Sequence, residues 1–189
     1  MSSHHIVREK QEPALLVLGV NHFTDDELGQ LLEWSPTLIT TPPVAEQLAV
    51  YGIKIDYVIT DHPTDIQQSD VKTIPTGTAS ELQTALIHLI TQGYPAVNII
   101  ANELDLAVYE QYAAQINMVV FYNSQKIYAV TSGFRKWKPA SEVIHIITPG
   151  VVIYTEGLQQ RAPQQYQTVG DGFLSLKFDK PYIFISEEY

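Results

Sequence analysis

One short stretch carries the residue types that most readily hold a hard cation. In "IDYVITDHPTD", residues 55–65, an apolar run opens on Asp56 and leads to Asp61, His62 and Asp65. Carboxylates at the carboxyl end of a buried parallel strand lie where open α/β sheets bind ligands. Mg²⁺ or Ca²⁺ coordination is therefore the chemistry this cluster offers, with Asp61 and Asp65 as metal ligands. The competing reading is a solvated loop in which Asp61 or Thr64 caps a turn stiffened by Pro63, and the loop-forming composition favours it. Glu81 is a further acid of interest. Thr78 and Glu81 have capping-box spacing, however, which accounts for both through hydrogen bonds at a helix start.

Other residues with chemical potential have simpler explanations. His88 falls on an apolar helical face and His145 in a strand, and lone histidines so placed read as packed or surface residues rather than ligands. His4 and His5 belong to a polar N-terminal arm, "MSSHHIVREKQE", in which solvation is the expectation. Tyr51, Tyr109, Tyr112, Trp34 and Trp137 can stack on a flat ligand, but their spacings favour core filling. The basic-aromatic clump "FRKWK", 134–138, reads as an exposed β-turn with solvated charges. With no cysteine in the chain, disulfides, thiolate metal sites and a cysteine nucleophile are excluded.

The elements that must position these residues follow from periodicity. "ALLVLGV" (14–20) reads as a buried strand, and Thr24 with Glu27 forms a capping-box pattern ahead of Leu28, Leu31 and Leu32 in a helix stopped at Pro36. "TLIT" (37–40) is a second strand. Pro43 suits the first turn of a helix carrying Val44 and Leu48 that ends at Gly52. "IDYVIT" and "VKTI" are the next strands, followed by a helix from Thr78 through Leu82, Ala85, Leu86, Leu89 and Ile90 to Gly93. "AVNII", a helix capped by Asn102 and running to about Gln115, and "MVVFY" complete an alternation that predicts a parallel sheet covered on both faces. Beyond residue 124 the helical period stops. "KIYAVT", "EVIHIIT", "VVIY", "FLSLKF" and "PYIFIS" are short strands separated by turns, and predict a small antiparallel β unit.

The predicted fold is thus α/β: a three-layer, Rossmann-like parallel-sheet domain over 13–124, a small β-sandwich over 125–189, and an arm over 1–12. At 189 residues with 45% hydrophobic and 17% charged side chains, the composition is that of a globular protein. A formal charge of −10 repels phosphate backbones, so nucleic acid is not an expected partner. No apolar run is long enough to span a bilayer, and the expectation is a cytoplasmic protein with no membrane partner.

The stretch "YGIKIDYVITD" resembles the thiamine pyrophosphokinase pattern, in which Gly-Ile-x-Pro-Asp leads through an apolar strand to Gly-Asp-x-Asp-Ser. "ELQTALIHLITQGYPAVNII" is similar to that family's next helix-strand unit, and "GDGFLSLKF" with "PYIFISEEY" resembles the end of its C-terminal β domain. The resemblance implies an α/β domain followed by a β-sandwich, a homodimer, and pyrophosphoryl transfer from ATP to thiamine with Mg²⁺ held by carboxylates. Asp61 and Glu81 match acidic positions of the pattern, and Asp65 is a possible substitute for the acid that falls on Pro63. Pro42-Pro43 stands in place of an Asp-Gly, and Val108-Tyr109 in place of an Asp-His.

Between residues 11 and 125 the basic side chains are Lys54 and Lys72, whereas triphosphate transfer normally uses Arg or Lys clamps. There is neither a GxxxxGK[S/T] loop nor a GxGxxG after a strand. The expectation is a family-like protein that has lost catalysis and is retained as a binding or assembly protein, with a nucleotide-like or thiamine-like ligand. Mg²⁺ and ATP are cofactors only if the family's activity survives. Two alternatives stand beside it: an active kinase using Asp61, Asp65 and Glu81, and a structural or regulatory subunit without a small-molecule ligand.

Overall fold

The computed structural model describes residues 12–21, 23–63, 66 and 68–189. The chain divides into two compact units, the first ending at Met118 and the second spanning Val119–Tyr189.

In the first unit, β1 (Ala14–Val17), α1 (Asp25–Leu32), β2 (Leu38–Thr40), α2 (Pro42–Val50), β3 (Tyr57–Ile59), β4 (Lys72–Ile74), α3 (Glu81–Thr91), β5 (Ala96–Ile100) and α4 (Leu106–Tyr112) alternate as the apolar runs require. The strands are parallel and ordered β5-β1-β2-β3-β4. Leu16 lies in register with both Ile39 and Ile99, so β1 is central. Continuous apolar strands are what a sheet buried on both faces demands. Leu15, Leu16, Leu38, Ile39 and Ile99 are accordingly buried, each contributing about 1.5–3 kcal/mol relative to exposure. Thr40 is the polar exception, and its hydroxyl donates to Val17 O at 2.7 Å, which satisfies it inside the sheet.

The helix starts are set by side chains. Thr24 and Glu27 close the expected capping box on α1. At α3 the box belongs to Ser80 and Gln83, not to Thr78 and Glu81. Ser80 has the extended backbone an N-cap needs and a glutamine three residues on, a second match to the same rule that the first one masks. α4 is capped by Asp105, whose Oδ1 accepts from Val108 N at 3.2 Å, so this helix starts later than a cap at Asn102 would place it.

The second unit is antiparallel. Entered through β6 (Asn117–Tyr122), it contains β7 (Gln125–Val130), β8 (Phe134–Lys138), β9 (Val143–Ile146), β10 (Ile153–Glu156), β11 (Leu158–Ala162), β12 (Gln165–Thr168), β13 (Gly172–Phe178) and β14 (Ile183–Glu188). Its strands are ordered β11-β12-β9-β14-β7-β6 in one sheet and β10-β13-β8 in another. One core draws on both sheets, with Val130, Ile144, Ile146, Ile183 and Ile185 from the first and Leu174, Leu176 and Phe178 from the second.

"FRKWK" is therefore strand β8 and not a turn. Its side chains alternate: Phe134 packs on the core and Lys136 and Lys138 share that face, while Arg135 and Trp137 point outward. Glu187 of β14, itself buried, receives both lysines. Lys138 Nζ lies 2.8 Å from Glu187 Oε2 and 3.3 Å from Glu142, and Lys136 contacts Glu187 and donates to the Tyr128 hydroxyl at 3.2 Å. Phe184 and Ile185, in the run "PYIFIS", are buried. Trp34, Tyr51 and Trp137 also depart from expectation, being 72, 63 and 55% exposed, whereas Tyr109 and Tyr112 do fill the core.

Candidate functional site

The order β5-β1-β2 makes the carboxyl ends of β1 and β5 a topological switch point, where connections leave in opposite directions and open a crevice. A cleft of about 400 Å³ lies there, lined by Leu18 after β1, by Ser80, Glu81 and Leu82 at the start of α3, and by Ala101, Asn102, Glu103, Asp105 and Tyr109 after β5. That volume is at the small end of ligand pockets, roughly 300–1,000 Å³.

Two local interactions fix its walls. The Asn102 side-chain Oδ1 accepts from Asn21 N at 3.1 Å, tying the loop after β5 to the loop after β1. A Cβ at Gly19 would lie 2.2 Å from Asn102 Nδ2, so glycine at that position makes room for the Asn102 amide. Tyr109 also lines the cleft; it is fully buried, and its hydroxyl has no hydrogen-bond partner among the described residues. Burial, and then the charge of Asp105, push its ionisation well above the usual tyrosine range, so the hydroxyl keeps its proton and can donate.

The acids expected to act together are dispersed. Asp61, exposed after β3, accepts at Oδ1 from Thr76 N at 2.9 Å and Gly77 N at 3.2 Å, thereby joining the loops that follow β3 and β4. Asp56 precedes β3 and lies at the opposite end of that strand. Its Oδ2 accepts from Leu38 N at 2.9 Å, its Oδ1 lies 3.8 Å from Lys54, and both residues line a second cleft of about 300 Å³ with Leu32, Ser35, Pro36 and Ile53. His62 is exposed, and its N–H donates to Thr60 Oγ1 at 3.1 Å. Asp65, Thr64, His4 and His5 lie outside the described residues. Glu81 lines the switch-point cleft, and Asp61 is not among the residues that line it. Among the described residues, no group of three His, Asp or Glu side chains is placed to hold a metal ion.

Glu103, Asp105, Asn102 and Gly19 are not anticipated as site residues by the sequence, which favours core filling over ligand stacking for Tyr109. The signal for the acids was present in "ANELD", directly after the strand "AVNII", because switch-point crevices form at such strand ends. The orphaned hydroxyl has no sequence signature.

The chain thus pairs an α/β unit that has a cleft at its switch point with an antiparallel β unit that follows it in sequence. Comparison narrows this to one fold, that of the thiamine pyrophosphokinases. The chain is similar to the enzyme from Geobacillus thermodenitrificans with a TM-score of 0.71 at 12% identity, covering 93% of this chain and 96% of that one. For the Bacillus subtilis enzyme the TM-score is 0.69 at 12% identity, with 93% and 98% covered. For the yeast enzyme it is 0.69 at 9%, with 97% and 88% covered. No protein-family model and no curated protein matches the sequence. Among the described residues, no helix is long and apolar enough to cross a membrane.

Proposed function

We propose that this chain is a thiamine pyrophosphokinase-like protein that has lost pyrophosphoryl transfer and acts as a small-molecule-binding, self-assembling protein. The observation that carries this reading is the charge of the switch-point cleft. Among the described residues, the ionisable side chains that line it are Glu81, Glu103, Asp105 and a protonated Tyr109, and no cationic side chain does so. Lys54 belongs to the other cleft, and Lys72 lies 5.6 Å from the Tyr57 ring. A polyphosphate bound here would meet acids with no cationic clamp, and Mg²⁺ would find Asp61 already accepting two backbone N–H groups. The described donor set therefore does not fit the Mg²⁺–ATP pair that the fold's enzymes imply. The test is thiamine diphosphate formation from ATP, Mg²⁺ and thiamine. No turnover is expected; turnover above a no-enzyme control that Asp61→Asn abolishes would overturn the reading in favour of an active kinase using Asp61, Asp65 and Glu81.

The assembly half of the reading rests on the outer face of β10-β13-β8. Trp137 and Phe173 are register partners, and both are more than half exposed. In the next outward row Ser175 stands between Arg135 and Glu156. A two-fold axis along β13 sets Arg135 of each copy opposite Glu156 of the other and stacks the two aromatic pairs, so the face is complementary to itself. A homodimer by light scattering at micromolar concentration is the expected result, reduced to monomer by Phe173→Lys; a wild-type monomer would refute this half.

A further inference from the structure

We propose that the segment Ile6–Lys10, which precedes β1 and lies outside the described residues, docks on an apolar patch flanked by acids at the amino ends of the parallel strands of the first unit. Two helix-to-strand turns build the patch. Ser35, at φ +49°, turns the chain from α1 toward β2, and Gly52, at φ +69°, turns it from α2 toward β3. Trp34 and Tyr51, the residues just before these turns, are left exposed at the helix tips, as is Val50. The two turns wall one cleft of about 300 Å³, to which the first contributes Leu32, Ser35 and Pro36 and the second Ile53, Lys54 and Asp56. Isolated exposed apolar side chains are ordinary, but three large ones on the two turns that wall a single cleft mark an interaction surface.

Position and charge choose the occupant. Leu15 N donates to Thr37 O at 2.9 Å, Leu15 is in register with Leu38, and Asp56 Oδ2 accepts from Leu38 N at 2.9 Å. The start of β1 is therefore no more than two strand spacings, about 10 Å, from the Asp56 carboxylate. An extended chain advances about 3.3–3.6 Å per residue, so Lys10, three residues before Pro13, comes level with Asp56, and Ile6 and Val7 reach past it. Residues 12–118 carry fourteen acidic side chains against two basic ones, Lys54 and Lys72, whereas the segment before them has Arg8 and Lys10 against Glu9. At the patch the acids are Glu33, next to Trp34, and Asp56, whose Oδ1 is 3.8 Å from a largely exposed Lys54. So long and exposed a pair contributes little, and it leaves Asp56 able to receive a second cation. The run "IVREK" joins an apolar pair to two cations: Ile6 and Val7 suit the cleft, and Arg8 and Lys10 suit Glu33, Asp56 and the ring faces of Trp34 and Tyr51. Tethered to β1, this segment is present at a high effective concentration, which a second copy or another basic peptide must overcome to take its place.

The experiment follows Trp34 in the full chain. In a Trp137→Phe background Trp34 is the sole tryptophan. Its emission should be protected from acrylamide quenching in the parent. Arg8→Glu with Lys10→Glu should weaken docking about 2- to 5-fold per charge, the range of exposed ion pairs, with a matching rise in quenching. Salt at 1 M, which screens charges beyond about 3 Å, should act in the same direction. Ile6→Asp with Val7→Asp, which removes the apolar half of the contact, should abolish the protection. Location is read separately: the chain has no cysteine, so Glu9→Cys takes a single nitroxide label. The Trp34 indole N–H resonance, assigned through Trp34→Phe, should broaden in the labelled molecule and stay sharp in a mixture of labelled chains with isotope-enriched unlabelled ones.

Equal quenching of Trp34 in the parent and both double variants would overturn the proposal, as would an unbroadened Trp34 resonance in the labelled molecule. Broadening in the mixture would assign the patch to a second copy of the chain and overturn it as well.

Discussion

Glu187 offers the sharpest test of how the second unit is held together. Glu187→Gln leaves the shape in place but removes the charge that Lys138 and Lys136 share. The Lys138 side chain is 14% exposed and its Nζ sits 2.8 Å from Glu187, so it would be stranded in a poorly hydrated site, a loss of about 3–5 kcal/mol for a fully buried pair. Lys136 is 37% exposed and can turn to water, so its share is that of a surface pair, about 0–1 kcal/mol. Glu142 remains 3.3 Å from Lys138 and offsets part of the cost. The expected net is about 3 kcal/mol, or a urea midpoint lower by roughly 1–2 M at ordinary slopes. Of the two tryptophans, Trp137 lies in β8 itself, so a Trp34→Phe background makes its fluorescence a direct reporter. A shift below roughly 0.3 M would refute the reasoning. So would a double variant, Glu187→Leu with Lys138→Met, that recovered no stability, because replacing both charges by apolar groups should be nearly neutral.

The same cluster predicts a pH window. Burial alone would raise the Glu187 carboxyl, but hydrogen bonds from Lys136 and Lys138, and then their charges, outweigh it and hold it below the usual range. Its stabilisation is therefore complete above the unfolded value of about 4.3 and is lost as pH falls through the lower folded value. Burial likewise works against the Lys138 charge, but the hydrogen bond and charge of Glu187, followed by those of Glu142, raise its ionisation. That contribution is complete below about pH 10.4 and is lost as pH rises through the higher folded value. Urea midpoints across pH 3–11 should be less pH-dependent in Glu187→Gln than in the parent; parallel profiles would contradict the assignment.

Removing the orphaned hydroxyl with Tyr109→Phe should raise stability by about 1 kcal/mol, and a fall in melting temperature would show that the group is satisfied. Millimolar Mg²⁺ should leave the melting temperature unchanged, and a rise of several degrees that Asp61→Ala abolishes would restore the metal reading of Asp61. Gly19→Ala should cost about 1–3 kcal/mol through collision with the Asn102 side chain. Asn102→Ala added to it should return most of that loss, and additive losses in the pair would place the strain elsewhere.

The alternation of elements was legible because continuous apolar runs such as "ALLV" and "AVNII" can be satisfied only inside a covered sheet. β11 and β12 escaped notice for the converse reason. "LQQRA" and "QYQT" present mostly polar side chains on both faces at the sheet's edge, and so show no period-two contrast. β8 was misread because its inward positions are lysines, and only the distant Glu187, 51 residues from Lys136, makes burial of their charge tolerable. The site was half legible. Glu81 was found through its match to a family pattern, while its neighbours Glu103, Asp105 and Tyr109 join it through the pairing of β1 with β5, which brings together segments some 80 residues apart.

The alternation along β8 bears on which insertions and deletions this gene can tolerate. Thr131, Ser132 and Gly133 connect β7 to β8, and Gly133 turns with φ +89° while its N–H donates to Leu176 O at 2.8 Å. Adding or removing one residue there slips the strand by one, and a strand slipped by one presents its opposite face. Arg135 and Trp137 would then enter the core opposite Glu187, and Lys136 and Lys138 would face outward. Length variation at this turn should therefore occur in pairs of residues, or with a compensating change in β8, even though the loop itself is exposed.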